Sequence, residues 1–247
     1  MDKSYLRWLA FLYKTSETST ELTAIKLWEE MLESMDKRIV LARHGQTIFN
    51  RDGFIMGLSD SLLTPEGLNT AKQVARLIEE QKIRTVFCSP LGRARTSAEI
   101  YTEGMGLPVH IREAMAELCC GEWEGKPRSE VGDGVQLIRK TWLDRPPGGE
   151  SYSDGETRVA PFIQEITSED IQYPILVVGH ASVNRVFLKL WLSLDPEKAI
   201  RINSPHDTIY LIERRHRVMA RSGTGLDTEG FLFHLDRFPS HEGRSCG

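Results

Sequence analysis

Ile39-Val40-Leu41-Ala42-Arg43-His44-Gly45 decides how this chain is read. Four apolar residues in succession predict a strand buried on both faces, and the change to Arg-His-Gly ends it in a polar turn. The imidazole of His44 then projects at the carboxyl end of a sheet, the edge where ligands collect in open α/β folds. Neutral imidazole, with an ordinary pKa of about 6.5, is a competent nucleophile near neutral pH. Arg43 beside it can grip phosphate oxygens, so the tripeptide points to in-line attack on a phosphoryl group. A lone histidine in such a place more often caps a turn, and only the company His44 keeps decides between the two readings.

Outward from this stretch the chain alternates short apolar runs with helical patterns, which predicts a layered α/β domain. The strand candidates are 38–42, 84–88, 108–112, 174–179, 207–213 and 230–235. A helix follows Leu63, with Thr64 as cap, Pro65 in the first position, and Leu68, Ala71, Ala75 and Ile78 at helical spacing. Others are expected from about Gly92 to Glu103, near 134–143, after Asp154, and after His180 with Val183, Val186, Phe187 and Leu190 on the apolar side. Turn chemistry makes 144–156 a loop. Residues 1–36 stand apart: Thr18 to Met35 reads as an amphipathic helix with Leu22, Ile25, Trp28 and Leu32 on one face. The domain itself is expected over 37–236, and the polar stretch 237–247 as a flexible tail.

Composition sets the outer bounds. The chain has 247 residues, 40% hydrophobic and 27% charged, enough to bury a real core as a soluble globular domain. A net charge of −4 gives no basic bias, so neither nucleic acid nor an anionic membrane is expected as partner. The four cysteines, Cys88, Cys119, Cys120 and Cys246, form neither a disulfide framework nor a metal-binding spacing. Reduced thiols and a cytoplasmic location are the expectation. No apolar run is long enough to span a membrane, and Tyr5 to Tyr13, interrupted by Arg7, lacks the features of a signal peptide.

Further residues join His44. His180 ends the apolar run Ile175-Leu176-Val177-Val178-Gly179 and opens a helix, whose N-terminus favours an anion. Two strand-end histidines, each beside glycine, can face one another across a phosphate. Arg93, in Ser89-Pro90-Leu91-Gly92-Arg93-Ala94-Arg95, sits at a strand-to-helix junction suited to bidentate phosphate contacts. Arg95 competes with it, and helical spacing does not choose.

These segments, with Arg43-His44-Gly45-Gln46-Thr47-Ile48-Phe49-Asn50, Glu117 before Gly121-Glu122-Trp123-Glu124-Gly125, and Gly148-Gly149-Glu150-Ser151, resemble the histidine phosphatase superfamily, also called phosphoglycerate-mutase-like. The motifs stand in family order over about residues 37–213. The resemblance implies a three-layer α/β/α sandwich with a mostly parallel central sheet, here with an N-terminal helical extension. It implies that His44 carries the phosphoryl group, that Glu117 is the proton donor, and that Arg43, Asn50, Arg93 and His180 bind the substrate. It favours Arg93 over Arg95, because the family arginine follows Ser-x-Leu-x, and it implies no metal or organic cofactor. Glu117 must donate a proton to the leaving oxygen and then act as base on water. Its neighbours Leu118, Cys119 and Cys120 suggest a desolvated carboxyl.

Mutases of this superfamily follow the acidic glutamate with arginine, histidine and tyrosine and then a long insertion. Here Leu118-Cys119-Cys120-Gly121 follows Glu117, and the basic side chain for a second charged group is missing. Water is therefore the expected acceptor, making the chain a metal-independent phosphatase of small phosphorylated substrates. A cofactor-dependent phosphoglycerate mutase and a non-catalytic phosphate-binding module are the alternatives. Phe54, Met56 and Leu58 suggest a less polar substrate pocket. Met35 reads as a natural start for this family, but the apolar face at 22–32 argues that residues 1–34 are translated and serve docking or homo-oligomerisation.

Overall fold

The computed structural model describes residues 37–131, 139–213, 217–223 and 227–233. Among the described residues there are seven strands: β1 (Arg38–Arg43), β2 (Thr85–Cys88), β3 (Val109–Ile111), β4 (Ile175–Gly179), β5 (Thr208–Glu213), β6 (Arg217–Ser222) and β7 (Asp227–Glu229). They form one sheet in the order β3-β2-β4-β1-β5-β6-β7. β1 to β4 run parallel, and β5, β6 and β7 add antiparallel neighbours at one side. The helices are α1 (Ile48–Asp52), α2 (Pro65–Glu79), α3 (Gly92–Tyr101), α4 (Tyr152–Ile166), α5 (Ala181–Leu192) and α6 (Pro196–Arg201).

The apolar runs become strands because both faces of the sheet are covered. Ile39, Leu41, Phe87, Ile175 and Val177 pack on one face with Val159, Phe162, Val183 and Phe187 of α4 and α5. Val40, Ala42, Val86, Leu176 and Val178 pack on the other with Ala71, Val74 and Ile78 of α2 and Ala94 and Ala98 of α3. This alternation makes three layers, and each fully buried Val, Leu, Ile or Phe contributes roughly 1.5–3 kcal/mol. α2 begins as the sequence predicts, with Thr64 Oγ1 accepting the Gly67 N–H at 2.9 Å and Pro65 in the first turn.

Several expectations need correction. Residues 230–233 form no strand, only a bridge from Phe233 to Ile202, and 234–235 lie outside the described residues. The edge is built instead by β6 and β7. The apolar run of β6 is only Val218-Met219-Ala220, and β7 (Asp-Thr-Glu) is wholly exposed and held by its pairing to β6, so neither announces a strand by its own pattern. The expected loop 144–156 stops at Ser151. Ser151 Oγ accepts the Asp154 N–H at 3.1 Å and Asp154 Oδ2 accepts the Ser151 N–H at 2.7 Å, a capping box that starts α4 at Tyr152. Of the helix expected near 134–143, residues 139–143 are not helical and 134–138 lie outside the described residues. The Thr18–Met35 helix and the tail from 237 lie outside them too.

Candidate active site

Register builds the site. β1 and β4 are adjacent and parallel with Arg43 opposite Gly179, so the next residue of each strand, His44 and His180, comes to the same edge. The His44 N–H donates to the Gly179 carbonyl at 3.1 Å, and the ring centroids of the two histidines lie 5.0 Å apart. α5 starts immediately after His180. Two glycines let the β1 turn sit against α2: a Cβ on Gly67 would lie 2.1 Å from the Gln46 carbonyl oxygen, and one on Gly45 would lie 2.8 Å from the Gly67 oxygen. No other residue permits that approach.

Hydrogen bonds assign the tautomers. Among the described residues His44 Nδ1 meets the Gly45 carbonyl at 2.7 Å, which can only accept, so Nδ1 carries the hydrogen and Nε2 keeps its lone pair. Burial first, then the neighbouring His180, Arg43, His206 and Arg93, which disfavour a further positive charge, hold the His44 pKa well below 6.5. The ring is therefore neutral. For His180, Nε2 meets Ser89 Oγ at 2.7 Å, and that oxygen already accepts the Leu91 N–H at 3.3 Å. Among the described residues Nε2 is the acceptor that the Ser89 hydroxyl hydrogen meets, so that hydrogen goes to Nε2, leaving His180 with an Nδ1–H. Burial, Arg93 and Arg43 keep this ring neutral as well. A third histidine, which sequence reasoning missed, completes the cluster: His206 Nδ1 donates to the His44 carbonyl at 2.7 Å, with its ring 5.4 Å from that of His44. Burial and Arg43 lower its pKa to about 3. His206 lies two residues before β5, and only the antiparallel pairing of β5 with β1, not legible beforehand, brings it here.

Arg43, His44, Asn50, Arg93 and Glu117 all line one pocket of about 250 Å³, whereas His180, its ring against that of His44, is not among the lining residues. Arg95 is exposed and is not among the lining residues. Arg43 Nη1 donates to the Ser204 carbonyl at 2.8 Å. Burial lowers its pKa to about 10; Glu117 opposes that shift, and Arg185, Arg128 and Arg93 add to it. The Nη groups of Arg93 donate to Ser59 O (2.7 Å), Gly57 O (2.8 Å) and Asp60 Oδ1 (3.1 Å). Arg43 Nε, Arg93 Nε and His180 Nδ1 are buried and lack a hydrogen-bond partner among the described residues. Orphaned buried donors are costly, and Arg43 and Arg93 carry two of them into the lining of the pocket beside His44. Asn50 closes a capping box with Thr47 at the start of α1.

Glu117 is not the desolvated carboxyl that its neighbours suggest. Its Oε1 accepts the N–H groups of Leu118 (2.9 Å) and Val183 (3.1 Å), and its Oε2 accepts that of Ser182 (3.2 Å). The carboxyl thus docks on the N-terminus of α5, a polar setting that residue composition does not reveal. The glutamate motifs hold this frame. Glu124 accepts the N–H groups of Leu58, Ser59 and Cys120, each at 2.9 Å, tying the loop that anchors Arg93 to the segment that carries Glu117. Burial opposes its ionisation, yet these donors keep its carboxyl below the ordinary range. Glu150 accepts the Cys119 N–H at 2.7 Å and pairs with Arg158 at 3.1 Å.

Phe54 and Met56 line the pocket as the sequence suggests, whereas Leu58 is exposed and does not. The pocket also holds three arginines that sequence reasoning missed, Arg128, Arg139 and Arg185, together with Tyr152. The residue after Glu117 is Leu118, as the sequence reads, and basic side chains reach the pocket from three separate segments instead. Among the described residues, no three His, Cys, Asp or Glu side chains form a group that could hold a metal ion. Among them, too, no helix is long and apolar enough to cross a membrane.

Comparison with known proteins agrees with this architecture. The chain is 28% identical over 204 residues to a probable phosphoglycerate mutase GpmB of Erwinia tasmaniensis, covering 81% of this chain and 95% of that protein. It is 32% identical over 149 residues to putative phosphoserine phosphatase 2 of Hydrogenobacter thermophilus, covering 58% of this chain and 73% of that one. A mycobacterial glucosyl-3-phosphoglycerate phosphatase solved with VO3 superposes with a TM-score of 0.64 at 23% identity, over 71% of this chain and 90% of that one. The α-ribazole phosphatase of Shigella flexneri superposes with 0.65 at 24% identity, over 80% and 96%. The family model of the histidine phosphatase superfamily, branch 1, matches residues 39–221, and the chain belongs to that superfamily.

Proposed function

We propose that this protein is a metal-independent phosphatase that hydrolyses small phosphomonoesters through a phosphohistidine on His44. The observation that carries the reading is the set of three unpartnered donors, Arg43 Nε, Arg93 Nε and His180 Nδ1, around a neutral imidazole whose Nε2 bears the lone pair. Nε2 attacks phosphorus as the ester P–O bond breaks, and these donors offset charge on the transferring oxygens. The leaving oxygen takes a proton from Glu117. Both lone pairs of Oε1 are occupied by N–H donors while Oε2 accepts one, so Oε2 is where that proton resides. Water then attacks phosphorus, returns its proton to Glu117, and breaks the N–P bond to release phosphate.

The motif spacing after Glu117, which lacks the mutase insertion, and the phosphatases among the similar structures support water as acceptor. The free thiols of Cys88, Cys119 and Cys120 fit a reducing, cytoplasmic setting. Two observations favour mutase activity as a second reading: the pocket's extra arginines, and relatives described as probable phosphoglycerate mutases. Rapid quench with a 32P-labelled ester tests the proposal. An acid-labile, alkali-stable protein label, lost in His44→Ala, is expected, and its absence during turnover would refute the phosphohistidine. Addition of 3-phosphoglycerate with its bisphosphate primer separates transfer from hydrolysis.

A further inference from the structure

We infer that His234-Leu235-Asp236-Arg237-Phe238 folds back along α6 onto an apolar groove formed by α5, α6 and β6, and so braces the pocket wall at Ile202–Ser204.

The groove is larger than the pocket at His44. Leu192 and Leu194 at the end of α5, Val218 of β6, and Phe231 and Phe233 line a cavity of about 510 Å³, against about 250 Å³ for the pocket. Phe233 is 38% exposed there, and apolar surface gathered in a concave place favours a cover. Lys198 and Glu229 stand in the same lining, and neither side chain makes an ion pair with a described residue. The groove therefore suits an occupant with apolar side chains and one charge of each sign.

The chain itself heads into this groove. Phe231 and Phe233 both line it, two residues apart, with their rings 6.2 Å from one another. Residues two apart share a face only in extended backbone, and Leu235 is next on that face. Pairing sets the heading. The Asn203 N–H donates to the Leu232 carbonyl at 2.6 Å, and Phe233 bridges Ile202 in the antiparallel sense. The chain beyond Phe233 thus runs back along α6 toward its start. The Arg201 guanidinium lies 5.7 Å from the centre of the Phe233 ring, and Lys198, three residues earlier, shares its helix face. A helical turn rises about 5.4 Å and an extended residue spans about 3.3 Å, so Asp236 comes within reach of Lys198. Asp236 and Arg237 carry the signs complementary to Lys198 and Glu229, and Phe238 adds a second apolar side chain.

The seat matters because one short segment separates groove from pocket. The Ile202 carbonyl accepts Arg185 Nε at 2.7 Å, the Ser204 carbonyl accepts Arg43 Nη1 at 2.8 Å, and Asn203 lines the pocket. The other side of this segment is held by Leu232 and Phe233. A seated 234–238 fixes those two residues and, through them, the carbonyls that aim the arginines.

Carbodiimide coupling of the full chain, in an equal mixture of 14N- and 15N-labelled protein, tests the seat. Peptide mass spectrometry should find an amide joining Lys198 to Asp236 within single-isotope peptides. Mixed-isotope peptides would put a second copy in the groove and overturn the inference, as would the absence of the link. Thermal unfolding of Leu235→Asp gives an independent reading, with Leu62→Asp as control because Leu62 is 79% exposed. Loss of one buried leucine from a chain of this size should lower Tm by about 3–10 °C in Leu235→Asp and by much less in the control. Equal Tm values, which leave the groove open to a small apolar molecule instead, would overturn the inference. Should Leu235→Asp fail to fold, the coupling experiment on the wild-type chain still decides.

Discussion

Replacing His206 by asparagine should make the protein less sensitive to acid. Asparagine keeps an N–H near the place of the imidazole Nδ1–H that donates to the His44 carbonyl at 2.7 Å, but it does not titrate. In the folded protein burial and Arg43 lower the His206 pKa to about 3, whereas in the unfolded chain it returns to about 6.5. The folded state is then the one that binds fewer protons between those values. Stability therefore rises with pH across this window, and it is lost as pH falls below about 6.5. At pH 5 the unfolded chain gains roughly 2 kcal/mol from protonating this one side chain, since each pH unit below its pKa is worth about 1.4 kcal/mol. Urea unfolding of wild type and His206→Asn at pH 7 and pH 5, in a buffer free of phosphate, measures the difference. The variant should lose roughly 2 kcal/mol less than wild type over that interval, against a typical total stability of about 5–15 kcal/mol. An equal loss in both proteins would show that His206 is protonated in the fold, and would refute the account of a neutral histidine cluster.

Three further outcomes follow from the site. Glu117→Gln should cut kcat on an alkyl phosphate by about 10²–10⁴-fold but far less on p-nitrophenyl phosphate, whose leaving group needs no proton, and equal losses in steady-state assays would remove Glu117 as acid. Activity should survive EDTA and be inhibited strongly by vanadate, a mimic of the transferring group, while activity lost to chelation and restored by a divalent ion would replace the metal-independent proposal. Gly67→Ala would place a Cβ 2.1 Å from the Gln46 carbonyl oxygen, so thermal unfolding should show a loss of about 1–3 kcal/mol or more together with reduced kcat, and a neutral substitution would mean that the His44 turn is not held by this contact.

The parts of the fold legible in the sequence were those with a local cause. β1, β2 and β4 announce themselves because burial on both faces demands continuous apolar runs, and α2 because Thr64 and Pro65 mark its start. β7 has no such mark, since three exposed polar residues are held only by a neighbouring strand. The Ser151–Asp154 capping box lies within a stretch rich in turn residues, and those same residue types serve both caps and loops. The site divides in the same way. His44 and His180 sit at strand ends and Arg93 in the first turn of α3, all beside recognisable motifs. His206, Arg128, Arg139 and Arg185 reach the pocket only through long-range pairing, and nothing in their own neighbourhoods separates them from ordinary surface charges.

One arrangement accounts for both the reactivity and the strain of the pocket. Parallel pairing of β1 with β4 and antiparallel pairing of β1 with β5 bring three histidines to one sheet edge. Arginine charge and burial keep all three rings neutral, which is the state a nucleophile requires. The same surroundings leave guanidinium and imidazole N–H groups without partners and set like charges against one another around Arg43. On the phosphatase proposed above, a phosphoryl group reconciles these features, its oxygens accepting from the orphaned donors and its charge relieving the repulsion. The energy tied up in the free site is thereby returned when the group being transferred is bound, and most fully when that group carries the charge it has in the transition state.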